Sequence, residues 1–444
     1  MLNRGRLLRL LALGFFLVAV GYLMWRGVWR GTADSSDLAV GFSAARAWLQ
    51  GHNPYDALVL NNDFLAAGGA GVADGGLDPR LLNVFFPATL PIYVPVALVT
   101  WPVARALGLL INFGGSMFVA FGVSSLLGWR LTSSKALALA AFVLVLGPVE
   151  DTIVQGQISI VAVAAVVAAM LLERSGRAVA SGVMYGLATA IKIQIGLPFI
   201  AYLLWRRRWG PALASCLVPL ALTALSVVRM QVAAAPWSSS WLANLSWLSR
   251  PGGLNDPSTQ NPSRYYLIDL PYLLHTFMSN GALVQLVTLG AVGAAALAFM
   301  WLRRGRDAHP DLLALAVVTV LGLLVGYHRG YDAVLIVIPI TWACSVIGTP
   351  RWRPGVVVLV LCADFMLGFQ VLASGLQETG ALPSSLTGGA FWRSVVLTQH
   401  VWALVLMAIV LLVAAAGDRQ GVSRIEPDDS HPDSPIIPTS DWTP

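Results

Sequence analysis

Charged groups stand out in a chain this apolar, and two stretches hold most of those that could do chemistry. One is Tyr327-His328-Arg329-Gly330-Tyr331-Asp332, set between two apolar runs. A cation pair there could grip a phosphate, arginine through two parallel hydrogen bonds; the plainer reading is a pair that snorkels to the interface. The other is Asp34-Ser35-Ser36-Asp37, directly after the first apolar run. Asp37 sits where a helix N-cap belongs, with Leu38, Phe42, Ala45 and Leu49 on one face and Gly51 as the stop signal. It is either a cap stabilising a short interfacial helix by about 1 kcal/mol, or a general base whose ionised form the helix dipole favours. Asp34 is the rival carboxylate.

Three further features carry polar groups in apolar surroundings. Lys192 lies in a run that reads as membrane helix, where a charge costs about 2.5 kcal/mol or more. It needs water, an anion or a carboxylate partner such as Glu150 or Asp151. Gln155-Gly156-Gln157 and the stretch from Asn83 to Pro91 open apolar runs with polar groups and helix breakers; they either shape a cavity or end helices. Arg264, beside Tyr265 and Tyr266, either clamps an acceptor headgroup or anchors a loop at the interface.

Several chemistries leave no trace. HExxH, CxxC, Walker A and GxSxG signatures are absent, as is the Asp-x-Asp pair that would hold a metal for a nucleotide-sugar donor. Any phosphate must therefore be handled by Arg, His and Lys, with no cofactor and no metal expected. Cys216, Cys344 and Cys362 lie in apolar runs as small core residues.

The elements that must position these groups are membrane helices. Of 444 residues, 57% are hydrophobic and 11% charged, and mean hydropathy is +0.72. Soluble domains carry about 25% charged residues. The apolar runs do not alternate as barrel strands would, so the fold class is all-α and polytopic. Net charge is +6, almost all of it arginine, gathered at the ends of apolar runs. There it sets topology and meets lipid rather than nucleic acid.

Leu7 to Trp25 reads as an uncleaved anchor. Further spans are expected at 84–104, 106–127, 136–149, 152–172, 178–205 (broken by Lys192 and Pro198), 211–228, 281–302, 311–327, 331–348, 355–374 and 394–416. That makes about 12 spans, with both termini cytoplasmic. The first outer loop is 26–82 and the second 229–280, whose Trp237, Trp241, Trp247, Tyr265, Tyr266 and Tyr272 suit an interface. Residues 1–416 form the membrane domain; 417–444 are polar, Pro-rich and expected to be disordered. One conflict stays open: strict alternation puts Arg130 and Lys135 outside and Glu150 to Gln157 inside, against the charge rule. A half-span or re-entrant piece between 84 and 205 would reverse this.

In order along the chain, these groups resemble glycosyltransferase family 87, polytopic GT-C enzymes that include polyprenyl-phosphate-mannose-dependent α-1,2-mannosyltransferases. The resemblance rests on Asp37-Leu38, a short helix, and Gly51-His52-Asn53-Pro54-Tyr55-Asp56. It continues through Phe85-Phe86-Pro87, Gly156-Gln157, the Gly182 to Ala188 stretch with Lys192, Trp205-Arg206-Arg207-Arg208-Trp209, and His328-Arg329-Gly330-Tyr331-Asp332. The family's double proline near Pro87 is missing.

The resemblance implies a GT-C bundle with short interfacial helices on its outer loops. It also implies an inverting, metal-independent transfer of a hexose, mannose first, from polyprenyl phosphate to a lipid or glycan acceptor at the outer face of the plasma membrane. Asp37 would be the base. His328, Arg329 and Lys192 would bind the donor phosphate, with Asp34, Arg46, Tyr55, Arg264, Gln157, Tyr331 and Asp332 on the acceptor side or in secondary roles. The alternatives are a transporter or flippase of lipid-linked intermediates, or a structural subunit of an envelope-assembly complex.

Overall fold

The computed structural model describes residues 4–70, 82–304, 311–366 and 369–422. These are helical throughout, with one isolated antiparallel bridge between Leu267 and Arg329. Among the described residues, five helices are long and apolar enough to cross a membrane: Arg4–Trp29, Trp101–Leu126, Trp209–Val232, Gly281–Leu302 and Gln399–Gly417. A sixth span arises if Ser134–Leu144 and Gly147–Gln155, bent by 55°, count as one. The expected count of about 12 included segments that fold as shorter apolar helices, such as Leu312–Leu324 and Trp352–Ala363.

The expected span 178–205 shows why. Ala178–Ile191 ends at Lys192, a single extended residue (φ −152°, ψ 102°), and Ile193–Trp205 begins at once. Tyr185 and Phe199, seven residues either side of the break, stack at 5.4 Å. The segment is therefore an antiparallel hairpin with Lys192 at its tip, not one helix with a charge inside. The first arm packs along Trp209–Val232 through Gly182 and Gly186. A Cβ at Gly182 would lie 2.3 Å from the Pro211 carbonyl oxygen, and one at Gly186 2.7 Å from that of Ser215. Small residues four apart let two helix backbones touch.

The helix after the first span runs Ser36–Gln50. It was expected at the interface, amphipathic, with Asp37 as its cap. It is instead enclosed: Leu38, Phe42, Ala45 and Trp48 are buried with Phe64, Leu90, Tyr93 and Trp101 in a second apolar core. Burying Leu38, Phe42 and Trp48 contributes about 2 kcal/mol each, more than any cap, so packing fixes this helix. Its far end closes at Gly51 (φ 79°), and the Arg229 guanidinium donates to the carbonyls of Trp48 and Leu49. Of these two last-turn carbonyls, Trp48 O also accepts from Gly51 N at 3.2 Å, and a cation complements that end of the helix dipole.

The structure sets the two groups in this conflict far apart. Ser35 N donates to Val154 O at 2.9 Å, and a Cβ on Gly156 (φ 67°) would lie 2.6 Å from that of Leu38. Glycine is thus required at 156 both for the backbone turn and for close approach. Residues 150–157 therefore lie beside Asp37. Trp101, at the start of the long helix Trp101–Leu126, packs on Phe42 and Phe64 nearby. The helix then carries the chain about 39 Å away, to an end where Arg174 donates to the Ser125 and Leu126 carbonyls. Arg130 and Lys135 follow at that far end.

The C-terminal helix Gln399–Val422 runs past the expected boundary at 416. The remainder of the expected tail lies outside the described residues.

Candidate active site

The cap that the sequence assigns to Asp37 belongs to its neighbours. Ser35, in the left-handed region (φ 61°), is the N-cap residue, and Asp34 Oδ1 accepts from Ser36 N at 3.1 Å. Asp37 is the second residue of the helix, and its Oδ2 is enclosed with no hydrogen-bond partner among the described residues. A carboxylate oxygen left so is costly unless something else uses it.

Asp37 lines a cavity of about 460 Å³ shared with Gln157, Lys192, Tyr327, Arg329 and Tyr331. Apolar side chains such as Phe85, Phe86, Trp241 and Leu248 form the rest of its wall. Burial raises the Asp37 carboxyl above the ordinary range, while Arg329 and Lys192 pull it back down. Burial also works against the Arg329 charge, but Tyr327, Tyr331 and Asp37 outweigh it. Two cations and one carboxylate thus face the same space from three distant parts of the chain.

Each is held differently. Lys192 Nζ donates to Asp332 Oδ1 at 2.5 Å and to Ser159 Oγ at 2.9 Å, and lies 4.3 Å from the centre of the Tyr331 ring. Of its two suggested partners, Glu150 is taken by Tyr22, Arg26 and Arg30 of the first span. Thr89 Oγ1 donates to the Ala190 carbonyl at 3.0 Å, capping the hairpin arm that carries Lys192. Arg329 Nη2 donates to Leu254 O at 3.3 Å, and its Nε is enclosed with no partner among the described residues.

His328 is placed differently from the expectation of direct phosphate contact. It is 1% exposed, does not line the cavity, and its Nδ1 lies 3.3 Å from Asp332 Oδ2. Its backbone is pinned on the other side: Ile268 N donates to His328 O at 3.0 Å, and His328 N to Asp269 Oδ2 at 3.4 Å. His328 and Asp332 therefore form the support behind Lys192, with Asp332 at 0% side-chain exposure. Among the described residues no three His, Cys, Asp or Glu side chains come together as metal ligands.

The other expected residues lie elsewhere. Asp34 is exposed, and Arg46 Nη1 donates to Ala97 O at 3.2 Å outside the cavity. Tyr55 is buried, its hydroxyl donating to Phe85 O at 3.1 Å. Arg264 lies 5.4 Å from the centre of the Tyr272 ring, away from the cavity wall. The second polar region does more than float at an interface. Its helix Trp237–Ser249 roofs the site: Asn244 Nδ2 donates to Tyr55 O at 2.9 Å and Asn83 O at 3.0 Å, and Trp241 Nε1 to Val84 O at 3.3 Å.

Sequence reasoning missed Tyr93, whose ring fills the space over Gly41, one helical turn beyond Asp37. It also missed Gln194 and Asn255 on the cavity wall. The missing Cβ at Gly41 was the signal for the first; nothing separates two neutral amides from the many others in a sequence.

A model of glycosyltransferase family 87 matches residues 85–326, more than half of the chain. The match contains Gln157, Lys192 and the roof helix, while Asp37 and Arg329 flank it on either side. No curated protein and no solved structure matches the chain. With its apolar spanning helices and this match, the chain is a membrane protein that belongs to glycosyltransferase family 87.

Proposed function

We propose that the protein transfers a hexose, mannose first, from a polyprenyl-phosphate sugar to a lipid or glycan hydroxyl, with inversion and without a metal. One observation carries the reading. An enclosed carboxylate with a free oxygen, Asp37, faces the same cavity as Arg329 and Lys192. A base and two cations are what such a transfer needs, since the acceptor loses a proton while the phosphate gains charge.

In the step proposed, the acceptor oxygen bonds to the anomeric carbon as Asp37 Oδ2 takes its proton. The bond from that carbon to the phosphate oxygen breaks on the opposite face, and its electron pair stays with the departing polyprenyl phosphate. Arg329 meets the new charge with its unused Nε, and Lys192 with a proton not committed to Asp332. His328 acts through Asp332 as a positioning residue. Burial, which disfavours ionised Asp37, favours its protonated product state. Arg130, Lys135, Arg174 and the Arg206–Arg208 run lie away from the cavity, so the positive-inside rule turns the site outward and both termini toward the cytoplasm.

The test compares Asp37→Asn with wild type in membranes given radiolabelled polyprenyl-phosphate mannose and a lipid extract. The account expects labelled product from wild type and a loss of roughly 100-fold or more in the variant. Full transfer by the Asn variant would remove Asp37 as the base. Lipid crossing the bilayer with no labelled product from either protein would support a transporter instead.

A further inference from the structure

Three amide side chains on the cavity wall, Gln155, Gln194 and Asn255, make no side-chain hydrogen bond among the described residues. Each is half-buried, so water reaches it, and a ligand that displaces that water must offer equivalent hydrogen bonds. An amide offers both a donor and an acceptor, matching a hydroxyl, which is also both. A phosphate, which only accepts, would use the donor half alone, and a lipid tail neither half. The ligand these groups fit is polyhydroxylated.

Their positions divide them. Gln194 is two residues beyond Lys192, in the first turn of Ile193–Trp205. Asn255 follows Leu254, whose carbonyl receives the Arg329 Nη2 hydrogen bond. Both amides line the same cavity as Lys192 and Arg329, where a sugar joined to a phosphate held by those cations would lie. Gln155 sits at the other end, next to Val154, whose carbonyl receives Ser35 N close to Asp37.

The segment carrying Asn255 is also fixed in advance. Asn255 N donates to Leu248 O at 2.9 Å, and Asp256 accepts from Gly252 N, Ser258 N and Ser258 Oγ at 2.7–2.8 Å. Asn261 Nδ2 donates to Asp256 O at 2.9 Å. A recognition group is most selective on a backbone locked before the ligand arrives.

From this geometry we infer that Gln194 and Asn255 select the donor sugar by hydrogen-bonding its ring hydroxyls, an inference that rests on the hexosyl transfer proposed above. The orientation of one hydroxyl then decides which hexose is accepted, because the wrong epimer leaves an amide unpaired.

The experiment measures kcat/KM of the purified full-length protein with polyprenyl-phosphate mannose and polyprenyl-phosphate glucose, for wild type, Gln194→Met and Asn255→Leu. Inhibition by sugar-free polyprenyl phosphate is measured alongside as a control for an intact phosphate site. Wild type is expected to prefer one donor. At least one variant should shrink that preference by roughly tenfold, the value of one hydrogen bond, with inhibition by sugar-free phosphate unchanged. A wild-type preference kept by both variants, or a loss equal for both donors, overturns the inference and leaves hexosyl transfer standing. No transfer from either donor by wild type overturns both.

Discussion

Breaking the support beneath Lys192 should cost stability and activity by separable routes. Asp332→Asn keeps the shape but removes the charge that faces the ammonium at 2.5 Å, where the two side chains are 11% and 0% exposed. Breaking a buried pair from one side costs about 3–5 kcal/mol. Two contacts would remain for Lys192: the Ser159 hydroxyl at 2.9 Å and the Tyr331 ring at 4.3 Å, the latter worth up to about 2 kcal/mol when desolvated. The cavity also admits water on one side. The expected loss is therefore at the low end, about 3 kcal/mol.

The double variant Lys192→Met/Asp332→Leu removes both charges and should recover most of that stability, yet stay inactive for want of a cation at the phosphate. Tryptophan-fluorescence unfolding of the detergent-purified protein reads the first effect, and transfer from radiolabelled donor reads the second. An Asp332→Asn protein within about 1 kcal/mol of wild type, below the range for a broken buried pair, would refute the buried pair. So would a double variant that remains as unstable as the single one.

Other outcomes follow from the same geometry. Asp37→Asn should raise stability near neutral pH while abolishing transfer. A carboxyl whose pKa is raised in the folded state stabilises most when protonated and loses that stability as pH rises through the folded value. The advantage of Asn over Asp in unfolding experiments should therefore shrink as pH falls below the ordinary carboxylate range. For the same reason wild-type kcat/KM should fall on the acid side with an inflection above the ordinary aspartate value of about 4. Gly41→Ala would put a Cβ 2.3 Å from Tyr93 Cζ; overpacking should cost about 1–3 kcal/mol and shift the helix that carries Asp37, seen as a drop in kcat. Arg329→Lys keeps the charge but loses the fork of donors, so donor KM should rise while unfolding temperature stays near wild type.

The sequence disclosed the charged half of the site because charges are rare in this chain: Asp37, Lys192 and Arg329 were each conspicuous against apolar neighbours. Their supports were harder to see. The role of Asp332 depends on a pairing 140 residues long, and His328, placed with Arg329 by adjacency, points instead to Asp332. The cap reading of Asp37 failed because the helix starts two residues earlier, at Ser36, after Ser35 in a left-handed conformation unusual for a residue with a Cβ. The 178–205 segment was read as one span broken at Lys192 and Pro198; the break at Lys192 is present, but that it reverses the chain was not legible, because the reversal needs only one extended residue, with no glycine or proline at the turn itself. Gly182 and Gly186 were noticed as a pattern, but only the structure gives their physical cause, a backbone contact with Trp209–Val232.

The central claim is that Asp37, Arg329 and Lys192 serve one substrate. It is tested most directly by determining the structure of the protein bound to a non-hydrolysable polyprenyl-phosphonate analogue of the donor. The account predicts the phosphonate within hydrogen-bonding distance of Arg329 and Lys192, with the anomeric carbon turned toward Asp37. A phosphonate bound away from both cations, or a sugar turned away from Asp37, would contradict it.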